Sequence, residues 1–237
     1  MSNEFQTHLP PISEIWVYLS GSPLLALVLT LSAYLLGLTL YERSQRNPLA
    51  NPVLIAVVVV TLSISVLDMP YAKYFEGAQF VHFLLGTATV SLAIPIYKGF
   101  ASLKGRMGVL MLSLMAGGVT SVFTAVGMAR WLGVDESLVR GLVAKSVTAP
   151  IAMGIAERVQ ASPTLTAIFA VSTGILGAVL GRYVLDVLRV TQWWQRGFAL
   201  GVAAHGIGTS RAFSVHPEAG AYASLGMGLH GIVGAVV

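Results

Sequence analysis

Charge is what this sequence has least of. Only 10% of its 237 residues are Asp, Glu, Lys or Arg, against roughly 25% in an ordinary soluble domain. So few charges cannot cover a water-facing surface, which sets aside a soluble enzyme, a nucleic-acid binder and a disordered chain. Cysteine is absent altogether, so there is no disulfide framework, no thiolate metal site and no thiol redox chemistry. The first Lys or Arg is Arg43. A Sec-type signal peptide would need a charged n-region before its apolar core, so the first span is expected to be its own insertion signal.

Apolar residues fill the space the charges leave: 55% of the chain is hydrophobic and the mean hydropathy is +0.78. The net charge of +4 comes from basic residues dispersed singly between apolar stretches. They read as loop anchors and topology determinants, with no stripe that would hold nucleic acid. The chain reads as an integral membrane protein.

A polar, interfacial N-terminal segment (residues 1–22, with Trp16 and Tyr18) precedes an apolar run from Pro23 to Leu40. Pro52 to Leu67 is short and β-branched, but lipid forbids an open strand, so a helix is expected. Asp68 to Gln79 reads as a polar-aromatic loop. Further apolar runs are Phe80 to Tyr97, Met107 to Trp131, Leu138 to Ala156, Pro163 to Leu188, Gly197 to Phe213 and Ala219 to Val237. Trp193 and Trp194 suit an interfacial belt. The expected fold is all-α: one polytopic membrane domain over 1–237, with about 7–8 membrane segments, some broken or re-entrant.

If every run is a full crossing, seven basic residues fall on one side (Arg43, Arg46, Lys98, Lys104, Arg106, Arg158, Arg211) and six on the other. The loops at 42–46 and 98–106 favour an external N-terminus, but the tie is what a re-entrant segment counted as a crossing would produce. Two offsets suggest an internal repeat. At 55, Gly86, Pro95 and Ile96 fall on Gly141, Pro150 and Ile151; at 56, Arg140-Gly141, Ile151 and Ala156 fall on Arg196-Gly197, Ile207 and Ala212. Repeats this weak are common in transporters, and chance alignment of Gly/Ala-rich chains is the alternative.

Two stretches place polar groups beside helix breakers at membrane depth. In Lys145-Ser146-Val147-Thr148-Ala149-Pro150, a lysine that would be costly in lipid sits next to hydroxyls and a proline. In Ala204-His205-Gly206-Ile207-Gly208-Thr209-Ser210-Arg211, two glycines allow unwinding beside an imidazole, two hydroxyls and a guanidinium. A broken helix exposes N–H groups and a positive dipole end, which suit a carboxylate. Lys145 or Arg211 would balance its charge, and His205 titrates near neutral pH. The candidate substrate contacts are Lys145, Ser146, Thr148, His205, Thr209 and Arg211, with Pro95, Pro150, Gly206 and Gly208 shaping the backbone. The structural alternatives are a snorkelling Lys145, an interfacial Arg211, and a His205 that bonds a neighbouring helix. Arg182 and Asp186 read as a local i,i+4 ion pair; His82 and His230 have no assigned role.

Lys145 to Ala152 resembles the KSVTTPIA signature of LrgB/CidB-type membrane proteins, and Ala204 to Arg211 their (A/S)HxxGTxR signature. Asn51 to Leu54, Tyr74 to Gly77, Ala93 to Tyr97 and Thr173 to Ala178 fit the same family in order, from about residue 20 to the end. Ala149 stands where the signature has its second Thr, Gly86-Thr87 where the family commonly has Gln/Lys-Pro, and Ser210 where Ala is usual. The resemblance implies a multi-pass membrane protein, bacterial inner membrane by expectation, with one of two functions. Bacterial members are described as antiholin-like modulators of murein hydrolase export and cell lysis, often beside a small LrgA/CidA-like partner. The plastid relative translocates glycolate and glycerate, and bacterial members have been linked to pyruvate-type acids. Paired helix breaks furnished with hydroxyls favour a carrier of small 2-hydroxy or 2-oxo monocarboxylates, possible coupling to protons running through His205. Transporter analogy adds a homodimer.

Enzyme readings fare badly. An intramembrane aspartyl protease needs two embedded aspartates, whereas Asp68 and Asp135 lie between apolar runs. A retinal protein needs its lysine in the last helix, and HExxH and GxSxG are absent. No cofactor or metal is expected.

Overall fold

The structure, a computed structural model, describes residues 23–91, 94, 97 and 105–236. Trp16, Tyr18, Pro95, Lys98 and Lys104 lie outside the described residues. Among those described there are nine α-helices and no strand: α1 (Pro23–Arg43), α2 (Pro52–Val66), α3 (Tyr71–Ser91), α4 (Met107–Trp131), α5 (Glu136–Leu142), α6 (Ala149–Arg158), α7 (Pro163–Val187), α8 (Trp193–Val215) and α9 (Pro217–Val236). The β-branched run of α2 is helical, because a helix satisfies its own backbone where water is missing. α1, α4 and α7 are long and apolar enough to cross a membrane, and α2 is a shorter apolar helix.

The helices fall into two compact units. Among the described residues, the first comprises 23–46 and Pro52–Ala88. In it α1 and α2 approach at Gly37, where a Cβ would stand 2.6 Å from the Pro52 carbonyl oxygen. Ala26, Tyr74 and Ala78 form a small core with Val60 and Ile64, and the Tyr74 hydroxyl shares a 2.7 Å hydrogen bond with Thr30. The expected loop at Asp68–Gln79 is helical from Tyr71 onward. Tyr71, Tyr74 and Phe75 share one helix face at i, i+3 and i+4, with ring centroids 6.0–6.1 Å apart. That aromatic face, starting just after Pro70, carries the helix through a stretch whose polar residues suggested a loop.

The second unit comprises Asn47–Asn51 and Thr89–Val237. Two stretches expected as single spans each turn back on themselves. Leu138 to Ala156 divides into α5 and α6, separated by a non-helical segment at 143–148. Gly141 of α5 lies against Thr166 and Phe169 near the start of α7. Ala144, Val147 and Ala152 pack on Ala170 further along it, and α6 then returns to the four-residue connection into α7. Pro150 begins α6 rather than breaking a longer helix, in the first turn where its missing N–H costs nothing.

The second reversal lies inside α8, at His205 (φ 39°, ψ −129°). A Cβ on Gly208 would stand 2.6 Å from the Leu200 carbonyl oxygen, although eight residues of straight helix span about 12 Å. The rings of Trp193 and His216, at opposite ends of α8, stack 4.9 Å apart. The limbs 193–204 and 206–215 are therefore antiparallel. α9 then runs beside the first limb, so closely that a Cβ on Gly197 or Gly201 would overlap the backbone of Ala219 or Ala223. Gly177 and Gly181 of α7 meet Ala204 and Leu200 in reverse order, so α7 and α9 are antiparallel to each other.

Candidate functional site

Both reversals arrive at the same point of α7. His205 Nε2 donates a 2.8 Å buried hydrogen bond to the Ala170 carbonyl, and Ala170 is the residue on which Ala144 and Val147 of the first reversal pack. The left-handed backbone at His205 is one that side-chain-bearing residues rarely adopt. It is held by the ring bond to α7 and by the Thr209 hydroxyl, which donates to the His205 carbonyl at 2.7 Å. The proposed unwinding at Gly206 and Gly208 is thus centred one residue earlier. Gly208 is where the returning limb crosses Leu200 and Ala204, with no room for a Cβ.

Lys145 occupies the first reversal. Its ammonium donates to Ser121 Oγ on α4 at 2.7 Å and to Ser146 Oγ at 3.2 Å, and the two hydroxyls are 2.7 Å apart. Lys145 is half-buried, Ser146 buried. Among the described residues no carboxylate pairs with this cation: the ion pairs found are Arg130–Glu136, Arg182–Asp186 and Arg196–Asp186. The i,i+4 pair expected from the sequence is present at 3.6 Å, but Asp186 holds Arg196 closer, at 2.7 Å.

Lys145 and Ser121 line a half-open cavity of about 690 Å³ between α4, α7 and the first limb of α8. Ser113, Thr173 and Gln195 supply further polar groups, and leucine, valine and glycine make most of the wall. The volume lies within the usual range for a small-molecule site. Thr148 is partly exposed at the start of α6, with no capping bond from its side chain. Thr209 is buried and committed to the reversal, and Arg211 is half-exposed on the returning limb. Pro150 is exposed.

Sequence reasoning missed Ser121 and left His230 without a role. Ser113, Gly117 and Ser121 recur every fourth residue, which is a polar stripe on one face of an apolar helix and a readable signal. His230 sits mid-run in α9, 8% exposed, and an ionisable residue there is a functional candidate by default.

Three helices apolar enough to cross a membrane, together with two folded-back segments whose turns both reach Ala170 of α7, are those of a membrane-embedded protein. The chain belongs to the LrgB-like family, whose model matches residues 30–237. It is 34% identical over 210 residues to the uncharacterised protein YwbG of Bacillus subtilis (strain 168), covering 89% of this chain and 93% of that one. It is 26% identical over 214 residues to the holin-like protein CidB of Staphylococcus aureus (strain N315), covering 90% and 93%. The holin-like protein CidB of Staphylococcus epidermidis (strain ATCC 12228) is likewise 26% identical, over 213 residues. No solved structure matches the chain.

Proposed function

We propose that this protein is a secondary carrier of small 2-hydroxy or 2-oxo monocarboxylates, of the glycolate, glycerate or pyruvate type. The observation that carries the reading is the Lys145 ammonium, bonded to two serine hydroxyls at the wall of the cavity, with no carboxylate paired to it among the described residues. A cation held in an apolar protein interior is costly until an anion joins it. One cation matches one carboxylate, and the hydroxyls suit the substituent on the second carbon. Thr148 and the N–H groups at the start of α6 are proposed as further anion contacts, and Ser146, His205, Thr209 and Arg211 complete the candidate set.

The two hairpin-and-helix units, α5–α6–α7 and α8–α9, are read as inverted repeats. Their reversals fall at 143–148 and 205, a few residues further apart than the offset of 56. The single-domain reading of 1–237 is kept. Each limb of a hairpin is 7 to 12 residues long, too short for the roughly 20 that a bilayer needs. In this part of the chain α4, α7 and α9 therefore cross, while the hairpins re-enter. Arg106, Arg182, Arg189, Arg196 and Arg211 then share one side, and Arg130, Arg140 and Arg158 the other. The tie from counting every run as a crossing disappears, and the richer side is assigned to the cytoplasm. A homodimer and an LrgA/CidA-like partner complete the proposal.

The second reading, a holin-like or antiholin-like membrane regulator of murein hydrolase export and lysis, is favoured by the names of the CidB relatives. Uptake of labelled glycolate into proteoliposomes discriminates. Saturable uptake without release of a trapped inert dye is expected. Dye release of similar size dependence and no saturation would establish the pore instead.

A further inference from the structure

The carrier reading leaves a buried imidazole of α9 unused. His230 of α9 is 8% exposed, and its Nδ1 has no hydrogen-bond partner among the described residues. Its ring rests on Gly118 of α4, where a Cβ would stand 3.0 Å from the ring's Cε1. Gly118 adjoins Gly117 and lies one turn from Ser121, both in the cavity wall. Around α9, the charged or titratable groups on packed elements are Arg106 and Arg130 at the ends of α4, and Lys145, Glu157 and Arg158 in the first hairpin. α8 adds Arg196, His205 and Arg211, and α9 itself Glu218 and Tyr222. Of these, Lys145 is bonded to Ser121, one turn along α4 from the Gly118 on which the His230 ring rests.

We propose that the cluster binds its anion together with one proton, and that His230 is the group that accepts the proton. Resting on the carrier reading, this assigns its coupling residue. A lone ammonium beside Ser121 already carries one uncompensated charge, so a second positive charge on His230 is opposed across a low-dielectric interior. A carboxylate arriving at Lys145 removes that opposition, and by reciprocity a protonated His230 tightens the carboxylate. His205 is less suited: its ring is bonded to the Ala170 carbonyl and its backbone makes the turn. His230, unbonded at Nδ1, has a nitrogen to protonate without breaking the fold. It acts through the charge at Lys145 and is not placed against the substrate.

The test uses the full chain in proteoliposomes containing a trapped pH dye, with labelled glycolate as the probe. Exchange of internal for external glycolate needs the site but no net proton movement. The wild type is expected to acidify the lumen as glycolate enters and to accumulate it at least fivefold under an inward proton gradient. His230→Gln and His230→Asn are expected to keep exchange and lose both effects, with His205→Gln as the comparison. If the wild type shows no saturable exchange, the carrier reading itself fails and the inference with it. Saturable exchange without acidification in the wild type overturns the inference alone. So does proton movement that survives in both His230 variants, or exchange lost in both while they purify as folded protein.

Discussion

At the scale of single residues, the site depends on groups that only partly satisfy one another. Lys145→Ala removes the cation and is expected to lower kcat/KM for glycolate at least a hundredfold, read from initial uptake rates. Ser121→Ala leaves the charge and removes one of its two hydroxyl partners. A hydrogen bond to a charged group is worth about 1.5 kcal/mol or more, so a loss of about tenfold in affinity is expected. Unchanged transport in Ser121→Ala would separate the serine from the site. His205 combines an interhelical bond with a backbone conformation that glycine adopts freely. His205→Gly should therefore be less destabilising than His205→Ala, by about 1 kcal/mol, in detergent melting curves; the reverse order would mean that the turn is not strained. Lys145 and His205 were readable from sequence because an ionisable side chain between helix breakers is rare in apolar runs. What the His205 ring bonds was not readable, since Ala170 is an unremarkable alanine in a long helix.

Helices set how closely these groups meet. α8 and α9 touch through Gly197 and Gly201, where added carbons would overlap the facing backbone. Gly201→Val is expected to abolish recovery of folded protein. Gly154 of α6 has open space around its would-be Cβ, so Gly154→Ala should be neutral or stabilising by up to about 1 kcal/mol. Equal effects of the two changes on melting temperature would contradict the packing. The start of α5 is set by polar groups: Asp135 accepts from the Ser137 amide at 2.8 Å, and Arg130 reaches Glu136 at 2.7 Å. Hydrogen bonds from Ser137 hold the Asp135 carboxyl below the usual carboxylate range, and the bond from Arg130 does the same for Glu136. Their contribution is present above the unfolded carboxylate pKa of about 4 and is lost as pH falls through the depressed values. Asp135→Ala should accordingly flatten the acid limb of the stability profile. The Asp135 cap was not read from the sequence, which began this run at Leu138, and the helical start at Tyr71 was hidden by polar residues on its other face.

At the scale of the whole molecule, the decisive feature is that two long apolar stretches fold back on themselves. The chain's lack of cysteine makes this directly testable. Oxidation of Trp193→Cys/His216→Cys should form an intramolecular disulfide, because those rings stack; a continuous helix would hold the pair about 34 Å apart and give none. In sealed vesicles, cysteines at Val134 and Ala161 should label from one face and a cysteine at Val190 from the other. Labelling of 134 and 161 from opposite faces would restore α5–α6 as a crossing.

Low charge together with long uninterrupted apolar runs decided that this protein lives in lipid and is helical, because runs of that length in lipid satisfy their own backbone as helices. Its motifs also marked the two stretches where the helices fail. Direction was a different matter. A reversing helix and a crossing one bury the same apolar residues in the same order, so nothing local distinguishes them. The choice was made by contacts between segments far apart in the chain, glycine against backbone and imidazole against carbonyl, and those exist only once the helices have packed.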